Sequence, residues 1–166
     1  MRRFIGGILI VAASAAVGMA KVRDLKRRRD SLRELLSSFE LLQAEITFKK
    51  TALPEAFARL ALNKRTGALF KGVCEGLGAG VDSAWEKSLD RCVRGLCLSA
   101  EDRDLMRSMA GRLGKTDTAG QLAHIGYISE RLKAQERAAA EEYRGQAGLY
   151  GTGSILVGVL SVLLLI

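Results

Sequence analysis

The chain has 166 residues, a formal net charge of +8 at pH 7 and a hydrophobic fraction of 48%. The chain has three cysteines, Cys74, Cys92 and Cys97. Their odd number and unpaired spacing exclude a disulfide framework, and their spacing is not that of a zinc site. They are predicted to be small buried side chains in a reducing compartment. Apart from Arg2 and Arg3, every charged side chain lies within 21–146, a stretch long enough for one compact domain.

An uncharged apolar run, "FIGGILIVAASAAVGMA", occupies residues 4–20. The arginines before it and the small residues at its end would also suit a cleaved signal peptide. Six basic residues follow within 21–29, however, and they favour an uncleaved membrane span whose basic flank stays in the cytoplasm. At 1.5 Å per residue the run is about 26 Å long, near the lower limit for a bilayer core.

A second uncharged run, "AGLYGTGSILVGVLSVLLLI", occupies residues 147–166 and predicts a second span. Because its preceding flank is also basic, the charge bias predicts a hairpin with both termini outside and 21–146 in the cytoplasm. Small residues four positions apart in each run would let the two helices approach closely in lipid. These pairs are Ala12/Ala16, Ser14/Gly18, Gly148/Thr152 and Ser154/Gly158.

In the middle section, apolar residues recur at steps of three and four, and no stretch shows convincing strand-like alternation. The pattern predicts an all-α bundle of five or six short helices, with the glycines at 67, 76–80 and 114 between them. The last helix, from Thr118, is predicted to continue into the C-terminal run, with weak points at Gly145 and Gly148. Helix starts are predicted at Thr51 with Pro54, Ser83 with Glu86 and Ser99 with Asp102. Ser31 with Glu34 has the spacing of a capping box; the alternative is that the helix runs on from the membrane.

The stretch "GRLGKTD" at 111–117 contains the Gly-Lys-Thr of a nucleotide-binding P-loop. The motif also requires a glycine five residues earlier, where this chain has Met109, and a preceding strand, where a helix is predicted. The helical interpretation accounts for more: Gly114 ends one helix, and Asp117 or Thr116 caps the next. The stretch is therefore predicted to be a helix–helix connection that binds no nucleotide.

Trp85 and His124 are the only residues of their kinds. Trp85 lies four positions before Leu89 on one helix face, so it is predicted to be buried; the alternative is an exposed anchor for a partner. His124 follows Gln121 by three positions and is predicted to tie two helices together. Without a paired nucleophile and base or a cluster of metal ligands, the chain is predicted to be no enzyme and to hold neither metal nor cofactor.

The basic charge could indicate nucleic-acid binding, but few aromatic residues are present and none interleaves with the basic run at 21–29. That run is better explained by membrane orientation and attraction to anionic lipid, so no nucleic-acid partner is predicted. A second basic set, Lys49, Lys50, Lys64 and Arg65, flanks the helix predicted over 51–63. These four are candidate partner-binding residues; the alternative is that they are solvated helix ends.

Several segments together resemble the stage III sporulation protein AB family: "LQAEITFKKTALPEAF" (42–57), "AWEKSL" (84–89) and "LGKTDTAGQLAHIGYISERL" (113–132). Within the last, the resemblance falls on Gly114, Asp117, Gln121 and His124. That family is similar to the cytosolic F-domain of type II secretion and type IV pilus platform proteins. The resemblance implies an F-domain-like helical bundle between two terminal spans.

The resemblance also implies a scaffold of the channel complex between mother cell and forespore, in the mother-cell membrane around the forespore. The implied partners are a cytosolic secretion ATPase like stage III sporulation protein AA, other membrane proteins of the channel, and further copies of the chain. Platform proteins usually carry two such domains, so a single copy here would have to oligomerise. A platform or adaptor role in another secretion or pilus system is the alternative.

Overall fold

The computed structural model describes residues 2–49, 51–111 and 117–165, and these are helical throughout, with short turns and no strand. The helices are α1 (Arg2–Ala44), a π-helix (Glu45–Lys49), α2 (Leu53–Leu60), α3 (Gly67–Gly76), a 3-10 turn (Leu77–Ala79), α4 (Val81–Leu96), α5 (Ala100–Ala110) and α6 (Thr118–Leu165). The all-α prediction is confirmed. The last helix continues through Gly145 and Gly148 into the apolar run, as predicted.

The described residues form two compact units. The bundle unit is Asp30–Arg137. The helix-pair unit contains the residues up to Arg29 and those from Ala138 onward. The predicted limits of the two spans and the cytosolic domain, 4–20, 147–166 and 21–146, remain a prediction.

An aromatic cluster forms the centre of the bundle unit. Phe39 of α1, Phe57 of α2 and Phe70 of α3 surround Trp85 of α4, with ring centroids 6.1–6.4 Å from the indole. All four side chains are fully buried. The indole Nε1 donates a hydrogen bond to the carbonyl of Met106 in α5 at 2.7 Å, so one side chain joins five helices. The predicted burial of Trp85 is confirmed.

In the helix-pair unit, the two helices run antiparallel and meet at small residues. A side chain at Gly18 would collide with Ser154, whose Cβ would lie 2.7 Å away, and one at Gly158 would lie 3.2 Å from the Cβ of Ser14. The predicted pairs Ser14/Gly18 and Ser154/Gly158 thus oppose each other, which allows a close approach. By contrast, Gly148 has open space beside it.

Ionic contacts continue the helix pair beyond the apolar runs. Arg28 donates to Glu142 at 2.8 Å, and the guanidinium of Arg29 lies 4.6 Å from the centre of the Tyr143 ring. The large apolar side chains of this unit point outward, unlike those of the bundle. Ile8, Leu9, Val17, Met19, Leu149, Ile155, Leu156, Val157, Leu160 and Leu163 are among the exposed ones.

One helix of the described residues, Thr118–Leu163, is long and apolar enough to cross a membrane, judged by length and composition. The predicted N-terminal span, 4–20, is helical as the first part of α1 but is not identified in the same way. The arrangement of two terminal spans therefore remains a prediction.

The predicted helix starts are confirmed only in part. At Ser31 and Glu34 the helix is already running, because α1 passes uninterrupted through them. Pro54 occupies the first turn of α2 as predicted, although the helix begins at Leu53, after Ala52, and the Thr51 hydroxyl donates to Glu45. In α4, the cap position is taken by Gly80, whose φ of 93° suits glycine, so Ser83 lies inside the helix.

The Ser99–Asp102 capping box is confirmed at the start of α5. The Ser99 hydroxyl accepts from the backbone N–H of Asp102 at 3.1 Å, and the Asp102 carboxylate accepts from the N–H of Ser99 at 2.9 Å. The cysteine prediction needs one correction, because Cys74, Cys92 and Cys97 are free but only partly buried. Even so, burial raises the pKa of the Cys74 and Cys92 thiols above the ordinary value.

Candidate partner-binding surface

The carboxylate of Glu45 is buried and binds the side chains around Lys49, a member of the predicted partner-binding set. Glu45, the first residue of the π-helix, is 3% exposed. Its Oε1 accepts from the ammonium of Lys49 at 2.7 Å and the guanidinium of Arg59 at 3.2 Å, and its Oε2 accepts from the Thr51 hydroxyl at 2.9 Å. This carboxylate therefore joins the π-helix, the turn after it and α2.

The hydrogen bond from Lys49, with a further one from Thr51, lowers the pKa of Glu45 below its ordinary value of 4.5. Desolvation acts in the opposite direction, and the charges of Arg59 and Lys49 lower the pKa further. Because the charged form is favoured in the folded chain, ionised Glu45 stabilises the fold.

The stability that Glu45 contributes is expected to depend on pH. A carboxylate whose folded pKa lies below its unfolded value contributes fully above the unfolded value, and the contribution is lost as the pH falls through the folded pKa. The substitution Glu45→Gln should therefore lower the melting temperature clearly at pH 7 and progressively less below pH 4.5. Thermal unfolding of the full chain in detergent between pH 3 and 7 measures this gap.

The matched control is Glu40→Gln, which changes an exposed carboxylate on the neighbouring part of α1 and should leave the melting temperature at pH 7 nearly unchanged. An equal loss of melting temperature for Glu45→Gln at pH 3 and pH 7 would show that packing, rather than charge, explains the effect.

The structure does not present the predicted basic set as four free cations. Lys49 is held by Glu45, and Arg65 pairs with Asp30 at 3.2 Å. Lys64 is exposed, and Lys50 lies outside the described residues. The helix that they were predicted to flank is shorter than 51–63, since α2 ends at Leu60.

The predicted contacts around the start of α6 are present. Asp117 caps the helix, because its Oδ1 accepts from the backbone N–H of Gly120 at 3.1 Å. The ring Nε2 of His124 lies 3.0 Å from the carbonyl of Ser108, so this histidine ties α6 to α5. Gly114, predicted to end the preceding helix, lies outside the described residues.

Gln121 lines a groove of about 480 Å³ in the bundle unit. The groove has mixed character, since threonines stand among its apolar residues. The other lining residues are Ile46, Thr47, Thr51, Leu53, Thr118 and Leu122. Among the described residues, no group of three or more His, Cys, Asp and Glu side chains is arranged to hold a metal ion.

Glu34 is a residue whose role the sequence pattern misplaced. One of its oxygens accepts from the backbone N–H groups of Arg65 and Thr66, at 2.7 and 2.8 Å, and from the Thr66 hydroxyl at 3.0 Å. Thr66 is the residue before α3, so Glu34 of α1 fixes the turn that leads into a helix beginning more than thirty residues later. The positive end of the α3 helix dipole also stabilises a carboxylate at this position.

These observations define a class of protein. It is all-helical, with one compact bundle that has an apolar core and one pair of helices whose apolar side chains are exposed. The comparisons with known proteins agree with this class and give the family. The chain matches the family Stage III sporulation protein AB over residues 3–166, and it belongs to that family.

Relatives support the assignment over the whole chain. The sequence is 28% identical to stage III sporulation protein AB of Bacillus subtilis (strain 168), over 99% of both chains. A solved structure of stage III sporulation protein AB superposes with a TM-score of 0.64 at 27% identity, covering 70% of this chain and 96% of that one. The resemblance found from the sequence segments is thereby confirmed.

Proposed function

We propose that this protein is a membrane-anchored scaffold of a sporulation channel complex, which holds its helical bundle at the cytoplasmic face. The main support for membrane anchoring is that large apolar side chains of the helix-pair unit are exposed on its surface. Leu9, Val17 and Leu163 are 63–71% exposed. Lipid is the environment in which such surfaces are stable.

In this proposal both apolar runs cross the membrane, with both chain ends outside and the bundle in the cytoplasm. The close contact at Gly18 and Gly158 supports paired spans, because small residues let helices pack tightly where no hydrophobic effect drives association. The basic segment at 21–29 supports the orientation, since positive flanks stay in the cytoplasm.

The proposed partners follow from the family. A cytosolic ATPase of the stage III sporulation protein AA type would dock on the bundle, and other membrane proteins of the complex would pack beside the spans. Because the chain carries one bundle, several copies would together form the platform in the mother-cell membrane around the forespore. The role is that of a scaffold, without catalysis or nucleic-acid binding.

The basic set at 49, 50, 64 and 65 is proposed as the ATPase contact, through charge attraction. Reversing all four charges would not test this cleanly, because a glutamate at 49 would face buried Glu45, which Lys49 neutralises. Lys50→Glu with Lys64→Glu avoids the two observed ion pairs. We expect this variant to recover roughly tenfold less ATPase in detergent co-purification from sporulating cells.

The matched control is Arg131→Glu with Arg137→Glu, which changes the net charge equally at two exposed positions of α6. The control should retrieve the ATPase at the unchanged level. Undiminished recovery by the Lys50/Lys64 variant, at both low and moderate salt, would place the contact elsewhere. Circular dichroism of both variants establishes that the helical content is retained.

A further inference from the structure

One side of helix α4 carries three basic residues. Lys87, Arg91 and Arg94 follow one another at steps of four and three, which places them along one side of the helix. All three are exposed. Within the part of the chain that the structure describes, none of the three lies within ion-pair distance of a carboxylate, so their charges are free to act on a partner.

The acidic residues of α4 do not neutralise this row. Asp90 follows Lys87 by three positions and precedes Arg94 by four, so it lies beside the row, but its carboxylate pairs with Arg107 of α5 at 3.1 Å. Glu86 directly precedes Lys87, and consecutive residues of a helix do not face each other. The row thus forms a cation face, defined here as Lys87, Arg91 and Arg94.

A groove of about 230 Å³ runs between α3 and α4 beside this face. Lys87 and Arg91 line it on the α4 side, and Glu75 lines it on the α3 side. Its floor is formed where two glycines of α3 meet α4. A side chain at Gly76 would lie 2.9 Å from the Cβ of Ala84, and one at Gly72 would lie 3.1 Å from the Cβ of Ser88.

We propose that the cation face and its groove bind an acidic helical segment of a partner protein. A row at steps of four and three matches a row of carboxylates at the same steps on a second helix, and charge complementarity favours that pairing. Glu75 on the opposite wall repels carboxylates and so directs the acidic row toward α4. The concave groove favours an inserted side chain over a flat lipid surface. This surface is separate from the basic set assigned to the ATPase, so either proposal can fail alone.

The test uses the full chain in nanodiscs of uncharged phosphatidylcholine and a fluorescent 20-residue alanine-based helix with glutamates at i, i+4 and i+7. We expect binding that weakens with salt and is at least tenfold weaker for Lys87→Glu with Arg91→Glu. The charge-matched control, Arg131→Glu with Arg137→Glu, should bind as the parent chain does. A peptide with glutamine at the three positions should not bind.

A second variant separates the groove from general attraction. Ala79→Trp places a large side chain at the exposed Ala79, which lines the groove, without changing charge, and it should also weaken binding at least tenfold. The proposal is overturned if the parent chain does not bind the glutamate peptide, or if the control variant loses binding equally. It is also overturned if Lys87 and Arg91 are needed for binding to anionic phosphatidylglycerol vesicles but not to the peptide.

Discussion

Replacing Trp85 by alanine is expected to lower the free energy of unfolding by about 3–5 kcal/mol, the range for truncating a buried tryptophan. The indole is fully buried and touches rings from three helices, so its removal leaves a cavity where α1, α2, α3 and α4 meet. The hydrogen bond from Nε1 to the carbonyl of Met106 is lost as well. Denaturant unfolding of the full chain in detergent, followed by circular dichroism, measures the change.

The control Trp85→Phe keeps an aromatic ring but removes the N–H donor. Its free energy of unfolding should therefore fall clearly less than that of Trp85→Ala. Parent Trp85 fluorescence should resist quenching by acrylamide, since the ring is inaccessible in the folded chain. Unchanged stability of Trp85→Ala together with strong quenching would contradict the core position and restore the alternative of an exposed partner anchor.

The second large effect is expected at Glu34. Glu34→Ala removes one oxygen that accepts three hydrogen bonds from the turn leading into α3, and it leaves the buried Thr66 without this partner. A hydrogen bond to a charged group contributes about 1.5–3 kcal/mol to stability. Because the three bonds share one acceptor oxygen, their contributions do not add, and the free energy of unfolding should fall by about 2–3 kcal/mol. The same unfolding experiment measures it.

Glu40→Ala is the matched control, because Glu40 is an exposed glutamate of the same helix. Its effect should stay within about 0.5 kcal/mol. The loss of free energy of unfolding for Glu34→Gln should lie between those of Glu34→Ala and Glu40→Ala, since the amide oxygen still accepts hydrogen bonds but carries no charge. A loss of free energy of unfolding for Glu34→Ala no larger than that for Glu40→Ala would show that these three hydrogen bonds do not stabilise the fold.

The helices were predictable from the sequence where their signals are local. The Ser99–Asp102 pair caps α5 because both partners lie within one turn of the helix start. Ser31 and Glu34 have the same spacing, yet Glu34 bonds to the turn before α3 instead, because α1 is already helical there and the carboxylate reaches Arg65 and Thr66. Spacing alone cannot indicate which of two helix ends a side chain will reach.

The partner surface was less predictable for the same reason. Lys49 and Arg65 were predicted to be candidate partner-binding residues, but Glu45 of the π-helix and Asp30 of α1 supply their counter-charges. The π-helix itself has no signal in a period of 3.6 residues. By contrast, burial of Trp85 and the Asp117 cap followed from local patterns, and both are present.

The central claim is that paired apolar helices hold the bundle at the cytoplasmic face of a membrane. It is tested most directly by cysteine labelling in a chain whose three native cysteines are replaced by serine. Ser37→Cys is a suitable site because it is exposed on α1 within the bundle unit, whereas Ser31 and Ser129 are buried. A cysteine added after Ile166 reports the opposite side.

We predict that a membrane-impermeant maleimide labels Ser37→Cys only after the cells are permeabilised, while the added C-terminal cysteine is labelled in intact cells. Labelling of Ser37→Cys from outside intact cells would contradict the account.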